Sequence, residues 1–238
     1  MGKFSDFLTG MQTLEEVESP INGNIKVVKG LAWGTYIQVE GLTQSGGILK
    51  SVWRKPLNRI FNFQFPISNV LILGLGGGTV AGLVRQFWGN RVKITGVDLD
   101  PVMVDLGKKY LGLDKYNVNV VIGDAYEYMG NREQGTGNKK IRNKEQGIRN
   151  SKKEREGKYD LILVDLYVGR EYPKKFEDEK FIHLVRRNLA RCGFAIFNRL
   201  YFDEKRSQAV KFGEKLEKIF NKVDVVYPEA NIMFICSD

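Results

Sequence analysis

The part of the chain from Asn69 onward alternates between short apolar runs and longer amphipathic stretches. The runs are rich in β-branched residues, which is typical of strands buried on both faces. The predicted strands cover 70–73, 92–97, 118–122, 161–164, 194–197, 223–227 and 232–236, and the predicted helices cover 79–88, 101–111, 178–190 and 203–220. This order predicts an α/β fold with a doubly wound, mostly parallel seven-stranded sheet.

The last two predicted strands are connected differently from the others. Only Pro228-Glu229-Ala230-Asn231 separates them. A parallel crossover needs a dozen or more residues, so this link is too short for one. We therefore expect a hairpin, with one terminal strand running antiparallel to its neighbours.

The first 19 residues show helical spacing of apolar positions. Phe4, Phe7, Leu8, Met11 and Leu14 would share one face of a helix. This spacing predicts a short amphipathic helix over residues 1–19, which ends at Pro20.

Residues 24–51 alternate between apolar and polar positions and are interrupted by glycines. The pattern predicts short antiparallel strands at 25–28, 35–39 and 48–50, and a helix or an irregular connector over 52–63. We therefore divide the chain into a small N-terminal β appendage over 1–67 and a Rossmann-like domain over 68–238.

Residues 131–157 have almost no apolar positions, and the octapeptide 131–138 recurs in similar form at 143–150. Residues 131–158 contain ten Lys or Arg and four Glu, a net charge of +6 out of +9 for the whole chain. The pattern predicts a disordered, solvated insertion. A nucleic-acid tether is the alternative, but the segment has no aromatic residue on which a base could stack. The rest of the chain, at +3, does not suggest a nucleic-acid partner.

Composition narrows the class of protein further. The chain has 238 residues, of which 42% are hydrophobic, enough for a packed core. No apolar run reaches the roughly 18 residues that cross a membrane, and the N-terminus does not resemble a signal peptide. We expect a cytoplasmic protein with no membrane partner. Cys192 and Cys236 lack metal-ligand spacing, so we predict two buried thiols and no metal.

A glycine cluster follows the first predicted strand of the domain. The strand 70–73 leads into Gly74, Gly76, Gly77 and Gly78, and a helical pattern follows. Glycines allow close approach of a ligand to the backbone, and a helix N-terminus offers free N–H groups. The next strand ends in Asp98, which can accept hydrogen bonds from both hydroxyls of a ribose. This combination predicts a nucleoside site.

Two further acids follow predicted parallel strands at their carboxyl ends, where such sheets bind ligands. Asp124, followed by Ala125, comes after the third strand, and Asp165 comes after the fourth. The set fits S-adenosylmethionine or a close relative. Leu99 would cover the adenine, Asp124 would accept from its amino group, and Asp165 would be the base or acceptor anchor.

Two aromatic residues complete the prediction, since we expect Tyr167 and Trp53 to line the acceptor pocket. Structural alternatives exist for the acids. Asp124 could instead cap the helix that begins near Tyr126, whereas Asp100 is better placed than Asp98 to cap the helix at Pro101. A nicotinamide dinucleotide is a second ligand class, but Thr79 replaces the third glycine of its fingerprint.

With these motifs the chain resembles the spermidine synthases, within the class I S-adenosylmethionine-dependent transferases. The stretches that carry the resemblance are Glu18-Ser19-Pro20, Val39-Glu40-Gly41-Leu42-Thr43-Gln44, Val97-Asp98-Leu99-Asp100-Pro101 and Tyr159-Asp160-Leu161-Ile162-Leu163-Val164-Asp165. The resemblance implies a class I fold, a sulfonium nucleoside as donor, Asp165 as the catalytic aspartate and Gln44 as a further donor-binding residue. It also implies a small-molecule acceptor and suggests a homodimer.

The chain departs from the pattern of this family around the acceptor. Gly77 stands where the family has an Asp in its glycine loop, and Val168 stands where it has a second Asp after the catalytic one. By length, Val52-Trp53-Arg54 replaces its Tyr-x-Glu. A diammonium substrate needs several carboxylates to offset its desolvation, so these changes argue against putrescine.

Three functional hypotheses follow from the sequence. The first is methyl transfer from S-adenosylmethionine to an unidentified acceptor. The second is a divergent polyamine aminopropyltransferase that uses decarboxylated S-adenosylmethionine. The third is a non-catalytic nucleoside-binding protein.

Overall fold

The computed structural model describes residues 10–137 and 158–238, with side chains for 10–131 and 158–238. Its strands are β1 (Met11–Ser19), β2 (Gly23–Gly30), β3 (Gly34–Val39), β4 (Leu42–Gly46), β5 (Asn69–Leu73), β6 (Lys93–Asp98), β7 (Val118–Ile122), β8 (Tyr159–Val164), β9 (Leu189–Leu200), β10 (Lys222–Val226) and β11 (Asn231–Ser237). Its helices are α1 (Leu49–Asn62), α2 (Thr79–Trp88), α3 (Pro101–Leu106), α4 (Ala125–Gly137), α5 (Glu179–Asn188) and α6 (Lys205–Ile219). Single helical turns cover Gly107–Leu111, Leu113–Tyr116 and Lys174–Glu177.

The larger sheet has seven strands in the order β10-β11-β9-β8-β5-β6-β7. Strands β5 to β9 pair in parallel, and β11 pairs antiparallel with both β9 and β10. The predicted α/β class, the mostly parallel sheet and the terminal hairpin are therefore confirmed. The chain leaves β5 toward β6 and returns through β8 on its other side. Such a reversal of strand order opens a crevice at the carboxyl ends of the strands.

Apolar layers cover both faces of the larger sheet. One layer contains Phe181, Val185 and Phe212 from α5 and α6, and the other contains Leu57 and Val84 from α1 and α2, all of them buried. Because both faces are covered, the strands read as nearly continuous apolar runs, which is the pattern that the sequence displays. None of the helices within the described residues is long and apolar enough to span a membrane.

The smaller sheet is antiparallel, with the order β1-β2-β3-β4. The prediction of a helix over residues 1–19 is wrong from Met11 onward, since Met11–Ser19 is β1, and residues 1–9 lie outside the described part of the chain. Residues 11–19 pair with β2 through a bulge between Thr13 and Glu15. Cross-strand pairing decides the conformation there, and the helical spacing of a few apolar residues is overridden.

Two further local predictions are corrected. Ile48-Leu49-Lys50 is not a strand, because Leu49 begins α1 and the fourth strand of the small sheet is Leu42–Gly46. Cys192 is exposed rather than buried, whereas Cys236 is buried as predicted. Cys192 lies in β9 with a positive φ of 63°, a conformation that residues other than glycine seldom adopt.

The small sheet packs against the larger unit beside the crevice. Ile25, Val27 and Ile37 form one apolar cluster with Met103 and Leu106 of α3. The predicted insertion at 131–157 begins inside α4, which extends to Gly137, and residues 138–157 lie outside the described part of the chain. The small N-terminal sheet therefore lies next to the crevice at the carboxyl ends of the parallel strands.

Candidate active site

The carboxyl ends of four neighbouring strands meet at one cavity of about 420 Å³. Asp165 follows β8, Gly74 and Gly76 follow β5, Asp98 ends β6 and Asp124 follows β7. Adjacent strands lie about 4.8 Å apart, which places Asp98 about 10 Å and Asp124 about 14 Å from Asp165 across the sheet. The structure thus brings the three predicted acids to one crevice in the order that the sequence implies.

Asp98 is anchored to the backbone by both of its carboxylate oxygens. The amide of Gly76 donates to Oδ2 at 2.6 Å, and the amide of Asp100 donates to Oδ1 at 2.9 Å. Burial raises the pKa of Asp98 to about 6, although the hydrogen bonds from Asp100 and Gly76 act in the opposite direction. The carboxylate therefore has a fixed orientation, and it titrates close to neutral pH.

The glycine loop divides into a part that faces the cavity and a part that does not. Gly74 and Gly76 line the cavity, whereas Gly77 and Gly78, also predicted to bind the cofactor, are absent from its wall. A Cβ at Gly77 would lie 2.8 Å from Leu111 Cδ1 and 2.9 Å from Ile37 Cδ1. Gly77 therefore faces a packed interior, and the placement of these two glycines at the ligand is corrected.

The end of β4 lies over the glycine loop and takes up its hydrogen-bonding groups. The amide of Gly77 donates to Ser45 Oγ at 2.7 Å, and the amide of Gly46 donates to Thr79 Oγ1 at 2.5 Å. The amide of Gly78 donates to Leu75 O within the loop. This contact between the two sheets explains why Gly77 and Gly78 are turned away from the cavity.

Asp124 caps the N-terminus of α4, which was the structural alternative to ligand binding. Its Oδ1 accepts from the amides of Tyr126 and Glu127 at the start of α4, and its Oδ2 accepts from Lys175 Nζ. Burial raises the pKa of Asp124, but the hydrogen bond from Lys175 and the helix amides outweigh it and leave the pKa below its ordinary value. Asp124, Ala125 and Leu99 line the cavity, so capping and ligand contact are compatible there.

Asp165 is held by two side-chain donors. Trp53 Nε1 donates to Oδ2 at 2.9 Å, and Asn198 Nδ2 donates to Oδ1 at 2.8 Å. Burial raises the pKa of Asp165, and the hydrogen bonds from Asn198 and Trp53 offset only part of that rise. Trp53 is fully buried and does not line the cavity, which corrects the prediction that it borders the acceptor pocket. It contacts Asp165 from the interior of the protein.

The loop after β8 forms one side of the cavity and is tied to the small sheet. Gln44 Nε2 donates to the carbonyl oxygen of Gly169 at 2.9 Å, and Asn22 Oδ1 accepts from the amide of Gly169 at 3.4 Å. Tyr167 lines the cavity, and its hydroxyl accepts from the amide of Leu200 at 2.8 Å. Gln44 and Tyr167 are thus at the cavity wall, and the small sheet is part of it.

Three polar residues of this site, Asn198, Asn22 and Lys175, were not predicted from the sequence. Asn198 follows an apolar run at the carboxyl end of β9, and this signal, which identified the acids, could have identified it too. Asn22 and Lys175 gave no such signal, because only the tertiary fold brings them to the cavity. Among the described residues, no group of three or more His, Cys, Asp or Glu is placed to hold a metal ion.

No family model matches the chain. Two curated relatives match in sequence: the polyamine aminopropyltransferase of Vibrio vulnificus is 26% identical over 153 residues, which is 62% of this chain and 44% of the relative. The probable polyamine aminopropyl transferase of Bifidobacterium longum is 25% identical over 131 residues, 55% of this chain and 24% of the relative. The chain thus spans less than half the length of either relative.

Solved structures agree with the sequence matches. A spermidine synthase in complex with the transition state analogue AdoDATO superimposes with a TM-score of 0.70 at 18% identity, covering 95% of this chain and 73% of that one. A probable spermidine synthase from Corynebacterium glutamicum gives 0.69 at 18% identity and covers 95% and 80%. The chain thus resembles polyamine aminopropyltransferases in sequence and spermidine synthases in fold.

A methyltransferase shares the fold as well. Human methyltransferase-like protein 13 in complex with SAH superimposes with a TM-score of 0.57 at 20% identity, covering 80% of this chain and 79% of that one. Both likenesses concern the class I fold, which hosts several group transfers. The fold alone therefore does not identify the reaction.

Proposed function

We propose that the protein transfers an aminopropyl group from decarboxylated S-adenosylmethionine to an amine. The two curated relatives carry the name of this activity. Of the three hypotheses that the sequence left open, this one fits the comparisons better than methyl transfer. The donor would extend across the sheet with adenine near Asp124, ribose at Asp98 and the reacting carbon near Asp165.

The negative charge of the cavity wall favours decarboxylated S-adenosylmethionine over S-adenosylmethionine as the donor. S-adenosylmethionine has a carboxylate that its decarboxylated form lacks. The described residues of the wall include five carboxylates, those of Asp98, Asp100, Asp124, Asp165 and Glu229, and one cationic side chain, Lys175. Lys175 already pairs with Asp124, at the end where the adenine would lie. An incoming carboxylate would meet like charge, whereas a donor with only cationic groups is favoured.

The glycine loop also lacks free amides that could bind the carboxylate of S-adenosylmethionine in place of a cationic side chain. Helix N-termini and glycine loops bind anions through free amides. Here the amide of Gly76 is taken by Asp98, that of Gly77 by Ser45 and that of Gly78 by Leu75 O. An amino-acid carboxylate placed at this loop would therefore lose its water without gaining these donors.

The chemistry requires little more than alignment and removal of a proton. The lone pair of the acceptor amine attacks the aminopropyl carbon bonded to the sulfonium, the C–S bond breaks, and its electrons leave with neutral 5′-methylthioadenosine. The amine nitrogen then carries an extra proton, which passes to Asp165. Its raised pKa makes the carboxylate a better proton acceptor, and the two donors fix its position.

A competition experiment tests the choice of donor. We would incubate the protein with equal concentrations of S-adenosylmethionine, its decarboxylated form and a panel of amines, and quantify both nucleoside products by mass spectrometry. We expect 5′-methylthioadenosine to exceed S-adenosylhomocysteine by at least tenfold. Calorimetry should show at least tenfold tighter binding of the decarboxylated donor. The reverse order in both measurements would restore methyl transfer, and binding without either product would favour a non-catalytic protein.

A further inference from the structure

The part of the cavity beyond Asp165 differs from the nucleoside part, and we name it the acceptor half. Strands β9 and β11 lie on the side of β8 that faces away from β5, β6 and β7. Their residues, together with the start of α1, therefore surround the space that an acceptor would enter. The apolar members of this wall are Ile48, Leu49, Val52, Leu200, Phe202 and Ala230.

The polar groups of the acceptor half are mostly neutral. Asn198 donates to Asp165, and Asn231 Nδ2 in turn donates to Asn198 Oδ1 at 2.9 Å. Asn198 and Asn231 are 3% and 7% exposed, so this amide chain is part of the interior. Among the described residues of this half, Asp165 and Glu229 are the carboxylates on the cavity wall, and Asp165, which is half-buried, is the one that contacts the amide chain.

The other carboxylate of the acceptor half lies at the mouth of the cavity. The Glu229 side chain is 43% exposed, and its Oε1 lies 3.8 Å from Lys55 Nζ, which is 51% exposed. Both side chains of this pair are largely open to solvent, and the ammonium of Lys55 already offsets the negative charge of Glu229. Glu229 therefore adds little attraction for a distal ammonium group.

From these contacts we propose that the acceptor has a single amine, which binds at Asp165, and an uncharged apolar body, which packs against the acceptor half. The inference rests on the proposed aminopropyl transfer and specifies its acceptor class. An ammonium at both ends of an acceptor would leave one charge among Ile48, Leu49 and Phe202 without a buried partner, which is strongly unfavourable. A methyl group in the same place gains from burial.

The test compares two acceptors of equal length and different charge. Pentylamine and 1,4-diaminobutane differ only in that a terminal methyl group replaces an ammonium group. We expect kcat/KM with decarboxylated S-adenosylmethionine to be at least tenfold higher for pentylamine. Calorimetry on protein saturated with 5′-methylthioadenosine should give the same order of affinity. Equal or better use of 1,4-diaminobutane overturns the inference while leaving aminopropyl transfer intact.

A variant pair tests the physical cause of the preference. Val168 lines the cavity three residues after Asp165. Val168→Asp adds a second carboxylate and should shift the ratio of the two amines by at least tenfold toward 1,4-diaminobutane. Val168→Asn has the same shape without the charge and should leave the ratio within threefold of wild type. A similar shift in both variants would show that shape rather than charge sets the preference, and would overturn the argument.

Failure of the proposed function has a different signature. If no amine yields 5′-methylthioadenosine, aminopropyl transfer is excluded, and calorimetry still decides the acceptor class. Tighter binding of pentylamine would then support a site for an apolar monoamine in a protein of another activity. Binding of neither amine would remove the acceptor inference as well.

Discussion

The two halves of the cavity are held together by different kinds of contact. In the nucleoside half, Asp98 and Asp124 accept hydrogen bonds from backbone amides. In the acceptor half, Asp165 is held by the side chains of Trp53 and Asn198. Backbone partners persist whatever residue supplies them, whereas side-chain partners change with a single substitution. The contacts of the proposed donor site therefore depend mainly on the fold, whereas those of the proposed acceptor site can change with single substitutions.

The largest effect should come from Asp165→Asn, which removes the proton acceptor and keeps the size of the side chain. We expect kcat to fall about 10³-fold, the range for loss of a positioned general base. The dissociation constant of the nucleoside should change less than threefold, because Asp165 lies outside the nucleoside half. Single-turnover kinetics and calorimetry measure the two quantities. A rate within tenfold of wild type would contradict the assigned role.

Asp98 should control affinity rather than rate, with a characteristic pH dependence. In the proposed complex the ribose hydroxyls would donate to the ionised carboxylate of Asp98, whose pKa burial raises to about 6. The affinity for 5′-methylthioadenosine should therefore be constant above pH 6 and fall about tenfold per pH unit below it.

Asp98→Asn should weaken nucleoside binding about 30–100-fold at pH 8 and abolish this pH dependence, because it removes charge-assisted hydrogen bonds. Asp105→Asn is the matched control, since Asp105 is exposed on α3 and pairs with Lys108. Calorimetry from pH 5 to pH 8 decides the matter. An unchanged pH profile in Asp98→Asn would exclude Asp98 as the ribose contact.

A smaller effect should separate the packed part of the glycine loop from the part that faces the cavity. Gly77→Ala introduces a methyl group 2.8 Å from Leu111 Cδ1 and should reduce the free energy of unfolding by about 1–2 kcal/mol. Nucleoside affinity should stay within about fivefold.

Gly130→Ala is the control for this variant, because a Cβ at Gly130 in α4 meets no atom within 4 Å. It should be neutral, or stabilising by up to about 1 kcal/mol. Urea unfolding measures both variants. Lost affinity in Gly77→Ala without lost stability would return Gly77 to the ligand site.

The smallest effect should come from Trp53→Phe, which keeps an aromatic ring and removes the donor to Asp165 Oδ2. As a positioning residue, Trp53 should affect kcat about 3–10-fold. The hydrogen bond from Trp53 lowers the pKa of Asp165, so its loss should move the acidic limb of the rate profile to higher pH. The measurement is kcat against pH, and an unchanged limb would leave Trp53 with a packing role alone.

The difference between the two halves also explains what the sequence could predict. Asp98, Asp124 and Asp165 each follow a buried strand, so a local pattern placed them together, and the sheet is as predicted. Gly77 and Trp53 were placed wrongly, because the direction each faces depends on contacts with β4 and with Asp165, distant in sequence. The helix predicted over residues 1–19 failed similarly, since pairing with β2 decides that Met11–Ser19 is a strand.

The contacts between the small sheet and the cavity limit how chimaeric proteins can be made from this chain. Asn22 and Gln44 both bind Gly169, and Ser45 binds the amide of Gly77. A chimaera that joined residues 68–238 to the N-terminal strands of another protein would inherit the sheet that positions the acids, but it would lack the partners that close the cavity and cover the glycine loop. Exchange of segments between homologues should therefore give a complete cavity only when both sheets are taken from the same protein.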